Sequence, residues 1–96
     1  MRKYTVEKEG GSRLDRLDMT ILYLLLDYFE AVSGMTAVTQ EKIYGQLDSG
    51  IGKSTLHRRL AYIINYGYIA RGFSESRFNT YYITAKGKQK LKEAFQ

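Results

Sequence analysis

The densest cluster of side chains able to make polar contacts lies in Gly52-Lys53-Ser54-Thr55-Leu56-His57-Arg58-Arg59-Leu60. Lysine and arginine supply cationic N–H donors suited to phosphate. An arginine can also donate two parallel bonds to one guanine, and short hydroxyls can bond either a phosphate or a base edge. Leu56, Leu60, Ile63 and Ile64 recur at helical spacing. A helix over 53–66 therefore buries them and leaves Lys53, Ser54, Thr55, His57, Arg58, Arg59, Ala61 and Tyr62 on its other side. Lys53, near the helix N-terminus, suits phosphate; Ser54 and Thr55 suit a phosphate or a base edge; Arg58 suits a guanine. Arg59 and Tyr62, further along, are expected to meet the sugar-phosphate backbone.

Catalysis is not expected from these residues. His57 is the sole histidine and cysteine is absent. No metal cluster can be assembled from the sequence, and neither can a nucleophile with a base and an orienting group. No cofactor is implied. Gly50-Ile51-Gly52-Lys53-Ser54-Thr55 ends like a phosphate-cradling loop. However, the first glycine of that pattern would fall at Leu47, and the preceding segment reads as helix rather than strand. A plain surface histidine or a DNA contact accounts for His57 better than chemistry does. Most of the nine tyrosines suit core and wing packing, with Tyr62 and Tyr82 as candidates to stack on or bond a sugar-phosphate chain.

Charge placement supports a polyanion partner. The formal net charge is +5, yet residues 1–52 carry six Lys/Arg and eight Asp/Glu, whereas residues 53–92 carry nine Lys/Arg and the single acid Glu75. A basic half on a nearly neutral base is what phosphate neutralisation and counterion release require. The chain has 96 residues, 44% of them hydrophobic and 26% charged, which fits one folded domain. Its most apolar run, Met19 to Phe29, is too short for a bilayer and contains Asp27. The expectation is a cytoplasmic protein with no membrane partner.

Around the basic helix, the other elements follow from pattern and punctuation. Residues 1–12 read as a flexible arm of mixed charge, and 13–96 as the folded domain. Ser12 with Asp15 resembles a capping box, so a first helix is expected from near Arg13. Leu14, Leu17, Ile21, Leu24, Leu25, Tyr28 and Val32 carry its apolar face until Ser33-Gly34. Leu22, Leu26 and Phe29 form a second stripe, wider than a small monomer readily covers. They are expected, with Leu91 and Phe95 of the last helix, to form a homodimer interface; a C-terminal helix of the same chain is the other way to cover the stripe. Thr36-Ala37-Val38 suits a short strand. Thr39 suits the cap of a helix through Leu47 with Ile43, Tyr44 and Leu47 inward, and residues 48–52 suit a turn. Gly67 suits a left-handed C-cap after the basic helix. Residues 68–73 and 78–83 suit a two-stranded hairpin around Ser74-Glu75-Ser76-Arg77, and Thr84 suits the cap of a last helix to about Phe95. The fold class is mostly α with a small β-hairpin wing: a three-helix core plus a C-terminal helix.

Two short helices joined by a tight glycine-containing turn make a helix-turn-helix unit. The run from Gly52 to Leu60, followed by Ile63 and Asn65-Tyr66-Gly67-Tyr68-Ile69, resembles the recognition helix and first wing strand of winged-helix regulators of the GntR, MarR and PadR kinds. Tyr81-Tyr82-Ile83-Thr84-Ala85-Lys86-Gly87 is similar to the end of their wing and the start of the next helix. The similar segments, with the connecting hairpin, span about Thr39 to Leu91. The resemblance implies a transcriptional regulator bound to double-stranded DNA as a homodimer. Lys53, Ser54, Thr55, His57 and Arg58 would enter the major groove, Ser76 and Arg77 would reach the minor groove, and the first and last helices would pair subunits. The short wing, the acidic Glu75 at its tip and Gly52 in place of a capping serine depart from the pattern. No effector pocket is evident from the sequence. The alternatives are a winged helix that binds protein, since fold does not fix function, and a replication or plasmid-maintenance accessory factor.

Overall fold

A computed structural model of the chain describes residues 14–74 and 78–94. Helix α1 spans Arg16–Tyr23 and continues as a π-helical turn over Leu24–Tyr28. There follow strand β1 (Val38–Thr39), helix α2 (Gln40–Tyr44), helix α3 (Lys53–Asn65), strands β2 (Ile69–Arg71) and β3 (Thr80–Ile83), and helix α4 (Ala85–Ala94). This is the winged-helix arrangement expected from the sequence.

Helix α1 starts at Arg16, later than the start near Arg13 expected from the Ser12 and Asp15 spacing. Its N-cap is Asp15, whose Oδ1 accepts from the Asp18 N–H (2.9 Å) while Asp18 Oδ2 accepts from the Asp15 N–H (3.0 Å). The box is built by Asp15 and Asp18, while Ser12 of the expected box lies outside the described residues; Asp18 at the third position can return the bond, so two end donors are satisfied together. The helix also stops earlier, before Ser33-Gly34. The Ala31 N–H reaches back to the Leu25 carbonyl (2.7 Å), and Glu30, at φ 54°, takes the left-handed position that closes the turn.

Helix α2 is capped by Thr39, whose Oγ1 accepts from the Lys42 N–H (3.3 Å). It ends at Tyr44 and not at Leu47, with Gln46 and Leu47 held in tight turns to Ile43 and Tyr44. Helix α3 begins after Gly52 and closes at Gly67, where φ is +84°, as its glycine predicted. The Thr84 hydroxyl accepts from the Gly87 N–H (3.1 Å) and donates to the Gly67 carbonyl (2.6 Å), tying the end of α3 to the start of α4. Gly87 lies so close to the β2 side that a Cβ there would sit 2.2 Å from the Tyr68 carbonyl oxygen.

The sheet has three strands, in the order β1-β3-β2, all antiparallel. Ile69 faces Ile83 and Arg71 faces Tyr81 in the hairpin, while Val38 faces Tyr81 and Thr39 faces Thr80 on the other edge. The expected strand at 36–38 is therefore displaced to 38–39, where β3 supplies its partner.

The core joins Ile21, Leu22 and Leu25 of α1 with Ile43 of α2, Leu56, Leu60 and Ile63 of α3, Ile69 and Ile83 of the sheet, and Leu91 of α4. Leu22 is fully buried and Leu91 nearly so within a single chain. Both were expected at a subunit interface; instead α4 packs over α1 and covers them. Conversely, Tyr28 and Val32, expected on the buried stripe, are exposed: the π-helical turn breaks the 3.6-residue spacing before Tyr28, and the chain has left the helix before Val32. No helix among the described residues is long and apolar enough to cross a membrane.

Candidate nucleic-acid interface

Helix α3 is held from beneath and open above. Leu56 and Ile63 are fully buried and Leu60 is 1% exposed, whereas Lys53, Ser54, His57, Arg58 and Ala61 on the other side are exposed. Thr55 is half-buried. Gly52 contributes no side-chain acceptor to the helix start, and the first turn carries no acidic residue. The positive end of the helix and the Lys53 ammonium therefore reinforce one another at the place where an anion is best accommodated.

The outward side chains are partly ordered before any ligand arrives. Lys53 Nζ lies 3.6 Å from Glu41 Oε2, with both side chains well exposed, and 5.4 Å from the centre of the Tyr44 ring. Arg58 Nη2 donates to Thr55 Oγ1 at 3.4 Å, one turn back along the same helix. His57 Nδ1 is 3.3 Å from Gln40 Oε1 at the start of α2. Gln40 and Glu41 were not singled out in the sequence, since only the fold brings α2 beside this helix.

Arg59 departs from its expected role. Its Nε donates to Asp18 Oδ1 (2.8 Å), its Nη2 donates to Asp18 Oδ2, and Asp15 Oδ2 stands 3.7 Å from Nε. The guanidinium also stacks over the Tyr62 ring at 4.2 Å. The hydrogen bond to Asp18 raises the pKa of the guanidinium against the opposing effect of burial, and the charges of Asp18 and Asp15 add to the rise. Arg59 therefore does not extend outward toward a backbone; it fastens α3 to the buried carboxylate of α1. Tyr62 goes with it, half-buried beneath Arg59 and 5.0 Å from the Tyr66 ring. Asp18 itself carried a signal: it shares the apolar face of α1 with Leu14, Ile21 and Leu25, and an acid in that position calls for a cation.

The remaining expected site residues divide by location. Ser76 and Arg77 at the wing tip, and Phe95, lie outside the described residues, as does the arm before residue 13. Tyr82 is half-buried on the central strand. Leu26 and Phe29 are half-buried at the edge of the core. Between α3 and the base of the wing runs an open cleft of about 400 Å³, with His57 and Gln40 on one side and Phe78 and Tyr81 on the other.

No protein-family model matches the chain, and no curated protein matches it in sequence. Solved structures do match its fold. TubR from Bacillus megaterium pBM400 superimposes with a TM-score of 0.78 at 20% identity, over 96% of this chain and 98% of that one. The solution structure of the DNA-binding TubR fragment from Clostridium botulinum gives a TM-score of 0.64 at 23% identity, over 86% of this chain and 99% of that one. At such identities the likeness is one of fold. What stands of the resemblance to the GntR, MarR and PadR regulators is likewise the winged helix itself, a fold shared here with the two TubR structures.

Proposed function

We propose that this chain binds double-stranded DNA in a sequence-specific way, as a homodimer, with α3 in the major groove and the wing at 74–77 toward the adjacent minor groove. The observation that carries the reading is the division of α3: a fully buried leucine-isoleucine side and an exposed side bearing Lys53, Ser54, His57 and Arg58, unobstructed by the rest of the described fold. The DNA-binding TubR fragment supports it by analogy of fold. A second subunit would add a second helix at the spacing of successive major grooves, about 34 Å. The groove between α1 and α4 suits that pairing. It holds half-buried Leu26 with Asp27 on one wall and Lys88 and Lys92 on the other, so it carries both charges that a two-fold, self-complementary contact needs.

The test is a duplex-binding assay across salt. Random duplex should be retarded at about 50 mM salt and released steeply as salt rises, because several phosphate contacts release counterions. Arg58→Ala should weaken a selected site by about 1–3 kcal/mol while leaving stability unchanged. Sedimentation should give twice the 11.1 kDa chain mass. An unshifted duplex at low salt overturns the DNA reading and favours a winged helix that binds protein.

Transcription regulation and plasmid maintenance would use the same surface. The likeness in fold to TubR of pBM400, over 96% of this chain, favours plasmid maintenance. Mapping the bound sites distinguishes them: a clustered array on a plasmid supports maintenance, and single sites beside promoters support regulation.

A further inference from the structure

The pairing of His57 with Gln40 has a directional consequence. A glutamine Oε1 can only accept, so the 3.3 Å approach of His57 Nδ1 is a hydrogen bond in the tautomer that carries its hydrogen on Nδ1. In the neutral ring Nε2 is then left with a lone pair, at the far end of an exposed side chain. Among the described residues Nε2 has no hydrogen-bond partner. Gln40 is well placed to impose this. It is the first residue of α2, half-buried, and its predecessor Thr39 is fixed twice: by its own capping bond to Lys42 and by its pairing with Thr80 of the central strand. His57 sits in the second turn of α3, between the Lys53–Glu41 pair and the Arg58–Thr55 pair, on the side open to a ligand.

We propose that Gln40 and His57 read one base pair as a unit, with Gln40 as the positioning residue and His57 Nε2 as an acceptor. This rests on the DNA reading above and deepens it. On the major-groove edge, the groups that can donate to such an acceptor are the exocyclic amines, adenine N6 and cytosine N4; guanine presents only acceptors, O6 and N7. The unit therefore selects adenine or cytosine at its position and rejects guanine. Arg58, one residue on, has the opposite preference, so the two neighbours impose a polarity on the half-site.

Selection from random duplex with the full chain and the variants Gln40→Ala, Gln40→Glu and His57→Ala tests this. The unmodified chain should show one position enriched in adenine or cytosine by about fivefold, the value of one added hydrogen bond. His57→Ala should lose the preference there. Gln40→Ala should lose most of it while every other position is retained, an outcome that a merely structural role for Gln40 would not give. In Gln40→Glu the carboxylate favours the imidazolium, Nε2 becomes a donor, and the preference should move to guanine. A Gln40→Ala motif identical to that of the unmodified chain, or guanine at the His57-dependent position in the unmodified chain, overturns the proposal alone. Failure of the unmodified chain to enrich any sequence overturns the DNA reading and this proposal with it.

Discussion

Arg58 and Arg59 are adjacent in sequence and about 100° apart around α3, and they do opposite things. Arg58 is exposed and, among the described residues, hydrogen-bonds Thr55 of its own helix. Arg59 points back across the fold, donates twice to a carboxylate with no solvent exposure, and leaves a quarter of its side chain accessible. In the sequence both are cations on the open side of one basic helix, each expected to meet DNA. In the fold one belongs to the candidate interface and the other holds the interface in place. A basic helix is therefore not a uniform surface, and counting its charges overstates what a ligand can meet.

The largest effect that would break this contrast is on stability. Arg59→Ala strands the Asp18 carboxylate in the core, and it should destabilise the protein by about 3–5 kcal/mol in denaturant unfolding, against no more than about 0.5 kcal/mol for Arg58→Ala. The double variant Asp18→Leu with Arg59→Met should recover most of that loss, because a buried ion pair exchanged for packed apolar side chains is often neutral. It should also bind duplex nearly as the unmodified chain does. A folded double variant that has lost duplex affinity would return Arg59 to the interface and erase the distinction between the two arginines.

The same contrast explains which features were legible beforehand. Thr39, Gly67 and Thr84 were readable as caps because a cap is decided within four residues, and Leu56, Leu60 and Ile63 were readable because burial repeats with the helix. Asp18 with Arg59 lies 41 positions apart, and Gln40 with His57 lies 17 apart; no local pattern links them. The pairing of β1 with β3 is equally non-local, so a short Thr36-Ala37-Val38 strand could be suspected but the pairing of Val38 and Thr39 with Tyr81 and Thr80 could not be set. Leu22 was misplaced for a related reason. Periodicity shows that α1 has two apolar stripes, but which of them is covered depends on where α4 docks. The α1 cap went to Asp15 because both it and Asp18 carry acceptors in reach of each other's N–H groups.

A smaller effect separates the rim of α1 from the clamp at its start. Glu30 is the one described residue other than glycine with positive φ, and it sits where helix ends favour glycine. Glu30→Gly should raise stability by about 1 kcal/mol by removing the left-handed penalty of a Cβ, measured as a higher unfolding midpoint at unchanged slope. Loss of stability instead would mean that the Glu30 side chain makes a contact worth more than the strain, and the end of α1 would then be fixed by side chains as its beginning is by Asp15 and Asp18.

The smallest expected effect tests the outer half of the comparison directly. Glu41 holds Lys53 at 3.6 Å, both exposed, so the pair adds little to folding, and Glu41→Gln should change stability by less than about 0.5 kcal/mol. Its consequence should fall on binding. Removing an anion from beside the α3 N-terminus releases Lys53 toward phosphate and lifts a repulsion, so duplex affinity should rise about two- to threefold at low salt. The gain should shrink as salt is raised, because both terms act between solvated charges. A constant gain at all salt concentrations would point instead to a contact made by the new amide, and no gain at all would remove Lys53 from the interface and leave Arg58 as the principal cation there.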